Sequence, residues 1–251
     1  MKEIYQVMSA AIGQEMRMGQ IANNLANVNT VGFKKDSSVF LDELQARMVE
    51  GQASGQDQSA IPTGTVWPSL PRTYTDLSAG SFQETGRDLD VAIESEGFMQ
   101  VQGRDGQTCY TRAGNLSIDE DGQLVNANGL PMLDAQGKTI KLDTMTGTKL
   151  TVGSDGRISA NGVDIGTLGI VSFEDPSALV KRGEGLFVAP EGVEAKQMDA
   201  PRVRQATLEG SNVNAIDEMV QMIQAQRMYD AQQRVVRTFD ELAGKRIEAM
   251  Q

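Results

Sequence analysis

The 251-residue sequence predicts an α+β fold in which amphipathic, coiled-coil-like helices at both chain ends flank a central antiparallel all-β domain. Three observations predict it. Apolar residues recur in alternating steps of four and three near the start of the chain, and again near its end. Between these stretches, Asp-Gly and Asn-Gly dipeptides, the residues tight hairpin turns require, punctuate short apolar runs.

In the first 27 residues, Ile4, Met8, Ala11, Glu15, Met18, Ala22 and Leu25 form the seam, and no proline interrupts it. The run stops in Asn27-Val28-Asn29-Thr30-Val31-Gly32, whose Asn and Gly tolerate the positive φ of a helix end. Residues 36–80 differ in character: 40–49 suits a short helix, 51–60 (GQASGQDQSA) has linker composition, and 61–71 reads as irregular and extended around Pro62, Pro68 and Pro71. Turns are expected at Asp105-Gly106, Asp121-Gly122, Asn128-Gly129, Asp155-Gly156 and Asn161-Gly162. Strands are expected at 89–93, 98–102, 109–112, 116–118, 123–125, 149–152, 166–173 and 185–188.

The last 40 residues return to helix. Asn214 is a good N-cap, with Asp217 and Glu218 in the positively polarised first turn. Met219, Met222, Gln226, Tyr229, Gln233, Val236, Asp240, Ala243, Ile247 and Met250 then form a seam, and Lys245 and Arg246 suit the C-terminal dipole. Each terminal helix is marginal alone in water and needs a partner. The expected organisation is a helical assembly domain (1–35 with 212–251), a linker (36–80) and a β domain (81–211). The spacing admits two arrangements: an intramolecular helix pair, or helices that insert between neighbouring subunits.

Composition excludes several functions. With 39% apolar and 23% charged residues the chain can build a core. No apolar run approaches the ~18–20 residues of a membrane-spanning helix. Histidine is absent, which removes the usual general base near neutrality and the commonest zinc ligand. The single cysteine, Cys109, forms no internal disulfide. Net charge is −11, and residues 36–211 hold 14 basic and 26 acidic side chains, so nucleic acid is not an expected partner. The apolar stretch after Lys2 is broken by Gln6 and Ser9 and carries no cleavage site. The protein is therefore expected to be cytoplasmic, or exported by a route that uses no cleaved signal.

No catalytic, cofactor or metal site is expected. Asp119-Glu120-Asp121-Gly122 resembles part of a calcium loop, but its flanks read as strands and Asn128 stands where the bidentate Glu belongs. Asp88 and Asp90 form a carboxylate pair better explained by Arg87 or Arg112 than by acid/base work. Gly183-Glu184-Gly185 lacks the rest of a dinucleotide fingerprint. Seven of the 13 methionines lie in the terminal helices, as adaptable packing requires. Asn23, Asn24, Asn27 and Asn29 either cap a helix end or fix register across an interface.

Four blocks carry a resemblance. Ile21-Ala22-Asn23-Asn24-Leu25-Ala26-Asn27, followed by Thr30-Val31-Gly32-Phe33-Lys34, resembles the N-terminal signature of the bacterial flagellar rod and hook family. Leu89-Asp90-Val91-Ala92-Ile93 to Phe98, and Tyr110-Thr111-Arg112-Ala113-Gly114-Asn115-Leu116 with the Gly122 and Gly129 turns after it, are similar to its central blocks. Leu208-Glu209-Gly210-Ser211-Asn212-Val213-Asn214, with Met219 to Tyr229, resembles its closing helix. The chain lacks the additional domains of hook proteins. Its phrases 87–91 and 208–213 look most like the proximal rod members, with the distal members the close alternative.

The resemblance implies a structural subunit whose terminal helices pair and pack against those of neighbours to form an inner tube, with the β domain outside. It implies export through the flagellar type III apparatus, a place in a rod crossing the periplasm, and transmission of torque. The implied partners are other rod and hook-family subunits and self, and no cofactor is implied. The candidate assembly interface comprises Ile4, Met8, Ala11, Met18, Ala22, Asn23, Asn24, Leu25, Asn27, Gly32, Phe33, Met219, Met222, Ile223, Tyr229, Val236 and Ile247. The reading from another class is a soluble β-domain binding or assembly-chaperone module dimerised by its terminal helices.

Overall fold

The computed structural model describes residues 2–39, 72–142 and 150–248. The short helix, linker and proline-bearing stretch expected within 40–71 lie outside the described residues. The chain forms two compact units: Met1–Ala26, Asp36–Tyr74 and Asn214–Gln251 make one, and Asn27–Lys35 with Thr75–Val213 make the other.

The first unit is mainly helical. It contains α1 (Lys2–Ala26), α2 (Ala215–Glu248) and β1 (Asp36–Val39), which pairs with β2 (Arg72–Thr75). Asn214 caps α2 as expected: its Oδ1 accepts the N–H of Ile216 at 3.0 Å, and its carbonyl accepts that of Glu218 at 3.0 Å. The two helices pack on each other. Gln14, Ile21 and Asn24 are buried on α1, with Met18 and Leu25 half-buried; Glu218 and Ala225 are buried on α2, with Met222, Tyr229 and Val236 half-buried. The inward faces are rotated from the expected seams, for Glu15, Ala22, Met219 and Gln226 are exposed. A seam phased on the apolar repeat misses Gln14, Asn24 and Glu218, polar residues that take inward places.

The second unit is antiparallel β. One sheet holds β5 (Phe98–Gln102), β6 (Thr108–Thr111), β12 (Ile170–Ser172), β13 (Val180–Gly183), β14 (Leu186–Val188) and β15 (Lys196–Gln197), in the order β13-β14-β6-β5-β12-β15. Another holds β9 (Leu150–Val152), β10 (Arg157–Ala160) and β11 (Val163–Thr167). β7 (Ser117–Ile118) pairs with β8 (Leu124–Val125). Two ladders join distant parts of the sequence: β16 (Val203–Gln205) on β4 (Val91–Ile93), and β17 (Thr207–Glu209) on β3 (Phe82–Glu84). The main core gathers Val91, Ile93, Met99, Val101, Leu116, Leu124, Met132, Ile158, Leu168 and Ile170. A smaller aromatic core packs Phe98 edge-on against Phe187 and Phe173, with centroids 5.5 and 6.0 Å away, and Tyr110 against Phe173 at 4.8 Å.

One five-residue turn recurs at five corners of this unit. Its first residue donates to the carbonyl of the fifth, and a fourth-position glycine donates back to the first, at Gly103, Asp119, Asn126, Asp134 and Gly153. The fourth glycines (106, 122, 129, 137 and 156) have φ between 73° and 80°, the left-handed residue of a type I turn with a bulge. Where Asp or Asn leads, its Oδ1 also takes the N–H groups of the third and fifth residues, as Asp119 does from Asp121 and Gln123 at 3.0 and 2.6 Å. That carboxylate serves the backbone, so the local likeness to a calcium loop is a turn. The corner at Gln136-Gly137 carries no Asp-Gly pair; its signal is Asp134, which bonds the N–H groups of Gln136 and Lys138.

The expected strand at 166–173 is two strands. Gly169 breaks it, donating to Leu133 O at 2.9 Å where a Cβ would lie 2.6 Å from Asp134 O. The strands β1, β2 and β3, the first two within the stretch expected to be linker, and β10, β13, β15, β16 and β17 escape the apolar pattern because they are short and half polar. Backbone approach is closest at Gly114, whose added Cβ would lie 1.6 Å from Val91 O beside the core. Gly114→Ala is expected to lower the stability of the β unit by about 3 kcal/mol or more, read as a drop in thermal midpoint with helix content retained.

Candidate functional site

The described residues hold no catalytic constellation. Asp90 is buried, taking the Thr85 hydroxyl at 2.6 Å and lying 3.5 Å from Arg87, whereas Asp88 is exposed. Cys109 is buried in the main core. A shallow depression beside β13 is lined by Gln107, Val180, Lys181, Arg182, Val188 and Pro190, and offers no carboxylate or nucleophile. What the fold builds instead is an outward apolar face on the helices, a latch at the end of α1, and a charged junction in the β unit.

The apolar face lies opposite the packed side of α2. Ile216 (68% exposed), Met219, Val220 and Ile223 (52%) follow the helical repeat over its first turns and are exposed together. On α1, Ile12 and Met16 are likewise exposed. Of the expected interface residues, Met219 and Ile223 fall on this face; Ala22 and Asn23 are exposed on α1; Ala11, Met18, Leu25, Met222, Tyr229 and Val236 are half-buried. The side chains of Ile4, Met8 and Ile247 lie outside those described. Ile12, Met16, Ile216 and Val220 were missed because a single seam per helix was traced, and a helix with two apolar sides has a second.

The latch is Asn24. Its Nδ2 donates to Asp36 O at 2.9 Å and to Glu218 Oε2 at 3.3 Å, while its Oδ1 accepts the N–H of Asp36 at 3.0 Å. The amide thus joins α1, β1 and α2 within one chain. Asn27, half-buried, accepts the Thr30 hydroxyl at 3.1 Å in the turn after α1.

The junction explains the Gly32-Phe33-Lys34 and Glu209-Gly210-Ser211-Asn212 phrases. Gly32 has φ +67°, and a Cβ there would lie 2.4 Å from the Ala113 nitrogen. This seats Phe33 and Lys34 in the unit, with the Lys181 ammonium 4.2 Å from the centre of the Phe33 ring. Lys34 is 1% exposed and Glu209 fully buried, and they meet at 2.6 Å. Arg112 reaches the other carboxylate oxygen at 3.3 Å and stacks over Phe98 at 5.2 Å. Lys34 also donates to Ser78 O at 2.7 Å, and Gly80 N–H donates to Glu209 Oε1 at 3.0 Å. Burial pushes both cations below their usual pKa values, against the opposing pull of Glu209. Gly32 and Phe33 are therefore internal to the β unit.

Two outcomes follow from these contacts. Asn24→Leu removes three hydrogen bonds and strands the Asp36 N–H, so helix-unit stability is expected to fall by about 2–3 kcal/mol, read by thermal circular dichroism. Asp76 is held below the usual carboxylate range chiefly by the Ser78 N–H. A depressed folded pKa stabilises fully above the unfolded value, near pH 4, and that stability is lost as pH falls through the folded one. Asp76→Asn should therefore flatten the acid limb of unfolding below about pH 4 while leaving its alkaline limb unchanged.

Three family models match the chain: "Flagella basal body rod protein" over residues 4–34, "Flagellar hook protein FlgE/F/G D1 domain" over 92–160, and "Flagellar basal body rod FlgEFG protein C-terminal" over 204–249. Among curated relatives, the flagellar basal-body rod protein FlgG of Bacillus subtilis is 33% identical over 96% of both chains. FlgG of Agrobacterium fabrum is 34% identical over 92% of both. The flagellar basal-body rod protein FlgF of Caulobacter vibrioides is 31% identical over 92% of this chain and 90% of its own. The Asn24 latch, the Gly32–Lys34 turn and the Glu209–Asn212 junction fall in the matched terminal segments, and with likeness running through the whole length the chain belongs to the flagellar basal-body rod protein family.

Proposed function

We propose that the protein, a structural subunit of the flagellar basal-body rod and not an enzyme, polymerises through its terminal helices, coiled-coil-like in the assembled state, to build the axial shaft that carries torque from motor to hook. The observation that carries this is the apolar face Ile216, Met219, Val220 and Ile223, which the chain's own helix pair leaves in water. Burying each such side chain against a neighbour contributes ~1.5–3 kcal/mol before ordering costs. In this proposal the helices within 1–35 and 212–251 act as the assembly domain around the shaft axis, while 27–35 and 212–213 fold with the acidic β domain, which faces outward in the periplasm. The chain reaches that place through the flagellar type III export apparatus without cleavage, and its partners are copies of itself and related rod and hook subunits.

Within the rod, phrases 87–91 and 208–213 support a proximal, FlgF-type member. The second reading, a distal member, is supported by the slightly higher identity of the Bacillus subtilis and Agrobacterium fabrum FlgG proteins, 33% and 34%, against 31% for the Caulobacter vibrioides FlgF. Locating the subunit in basal bodies by electron microscopy separates the two. Ile223→Asp is expected to leave the isolated chain's stability within about 0.5 kcal/mol, since the site is exposed, while abolishing swimming in a complemented deletion strain. Normal swimming by that variant overturns the proposal. A discrete dimer at all concentrations, rather than polymer, would favour the chaperone-like alternative.

A further inference from the structure

The chain passes between its two compact units four times, after residues 26, 35, 74 and 213. In the β unit these passages start from three segments, and the same two side chains fasten all three. Glu209 takes Lys34 from the first segment at 2.6 Å and the Gly80 N–H from the second at 3.0 Å. Asn212 repeats the pattern on the backbone: its Oδ1 accepts the Lys35 N–H at 2.8 Å, and its Nδ2 donates to Asp76 O and Ser78 O at 2.8 and 3.2 Å. Backbone bonds complete the knot: Gly32 to Glu209 at 2.8 Å, Asp76 to Lys35 at 2.8 Å and Gly210 to Ser81 at 2.7 Å.

Buried charge makes these contacts interdependent. Glu209 stands between two buried cations: lifting 27–35 or 209–213 separates opposite charges in a dry site, and lifting 75–81 strips the Ser78 carbonyl from Lys34 and the Gly80 N–H from Glu209. Partial release is costlier than release of all three segments, in which Lys34 and Glu209 reach water together and the face of Arg112 that met Glu209 is opened to solvent. The segments differ in this from the six-stranded sheet and the main apolar core, which do not include Glu209 or Asn212; Glu209 enters only the short β17–β3 ladder, opposite Phe82.

We infer that Glu209 and Asn212 form a clasp that opens and closes as one unit, releasing 27–35, 75–81 and 209–213 together while the sheet core stays folded. The clasp is a local, sub-global opening of the β unit. Its use rests on the rod reading: a shaft subunit under load has its connecting segments tied to one point, and they hold or yield together. The opening itself is independent of that reading.

Native-state hydrogen exchange on the full chain tests it. The amides of Gly32, Asp76, Gly80 and Gly210 are expected to exchange through one opening with a shared denaturant dependence, less steep than that of the core amides Gln100 and Met132. Separate openings, or an opening indistinguishable from that of the core, overturn the inference. Glu209→Gln is expected to speed exchange in all three segments on the order of a hundredfold, with Gln100 and Met132 changed by less than about threefold. Acceleration confined to one segment, or spread evenly through the core, overturns it. If that variant does not fold, the wild-type exchange pattern decides alone. Swimming of the Glu209→Gln strain in viscous medium addresses the rod reading separately, since a failed rod assignment leaves the exchange result standing.

Discussion

The buried carboxylate of Glu209, held between Lys34 and Arg112, is the contact on which the joining of segments 27–35, 75–81 and 209–213 within the β unit depends. It joins residues 175 apart in sequence at 2.6 Å. Two cations and one carboxylate taken out of water are stable only while all are satisfied, and removing one partner of such a set costs on the order of 3–5 kcal/mol. The surroundings are arranged to satisfy them. Ser78 O takes Lys34, Ile93 O takes Arg112 at 3.2 Å, and the Phe98 ring lies beneath the guanidinium. Segments 27–35 and 209–213 are thereby bound into a domain built mostly from the middle of the chain.

The helical unit follows a different logic. α1 and α2 bury one face against each other with polar groups inside it, Asn24 and Glu218 among them, and leave a second apolar face in water. A chain selected only to be a stable monomer would reverse that allocation. In the proposed assembly, a subunit whose helices meet neighbours has reason to hold its own pair by specific hydrogen bonds and keep its apolar area for contact. Such bonds fix the pair's register at modest stability, as a buried Asn does in helical bundles. Apolar area, which is not directional, suits neighbours whose fit differs slightly from site to site.

Much of this was legible in the residues. Both helices, the Asn214 cap and four of the five recurrent turns follow from local rules that need only a few neighbours in sequence. The family signature was equally plain, for Gly32-Phe33-Lys34 and Glu209-Gly210-Ser211-Asn212 are unusual phrases. Their meaning was not. Nothing in sequence pairs Lys34 with Glu209, and a buried lysine looks like any surface one until its partner is known. The outward face of α2 was hidden for a related reason: periodicity finds an apolar stripe, but not which of two stripes the chain covers for itself.

Sequence by itself determined the helices, the turns, the absence of histidine chemistry and the family, because each is set by residue type or by spacing within a turn or two. Tertiary structure alone decided which helix face is packed, where the expected strand at 166–173 breaks, and which carboxylate receives the buried cations. Those outcomes depend on which distant groups arrive at the same place, and desolvation makes a charge's cost or benefit a property of its neighbours rather than of its position in the chain.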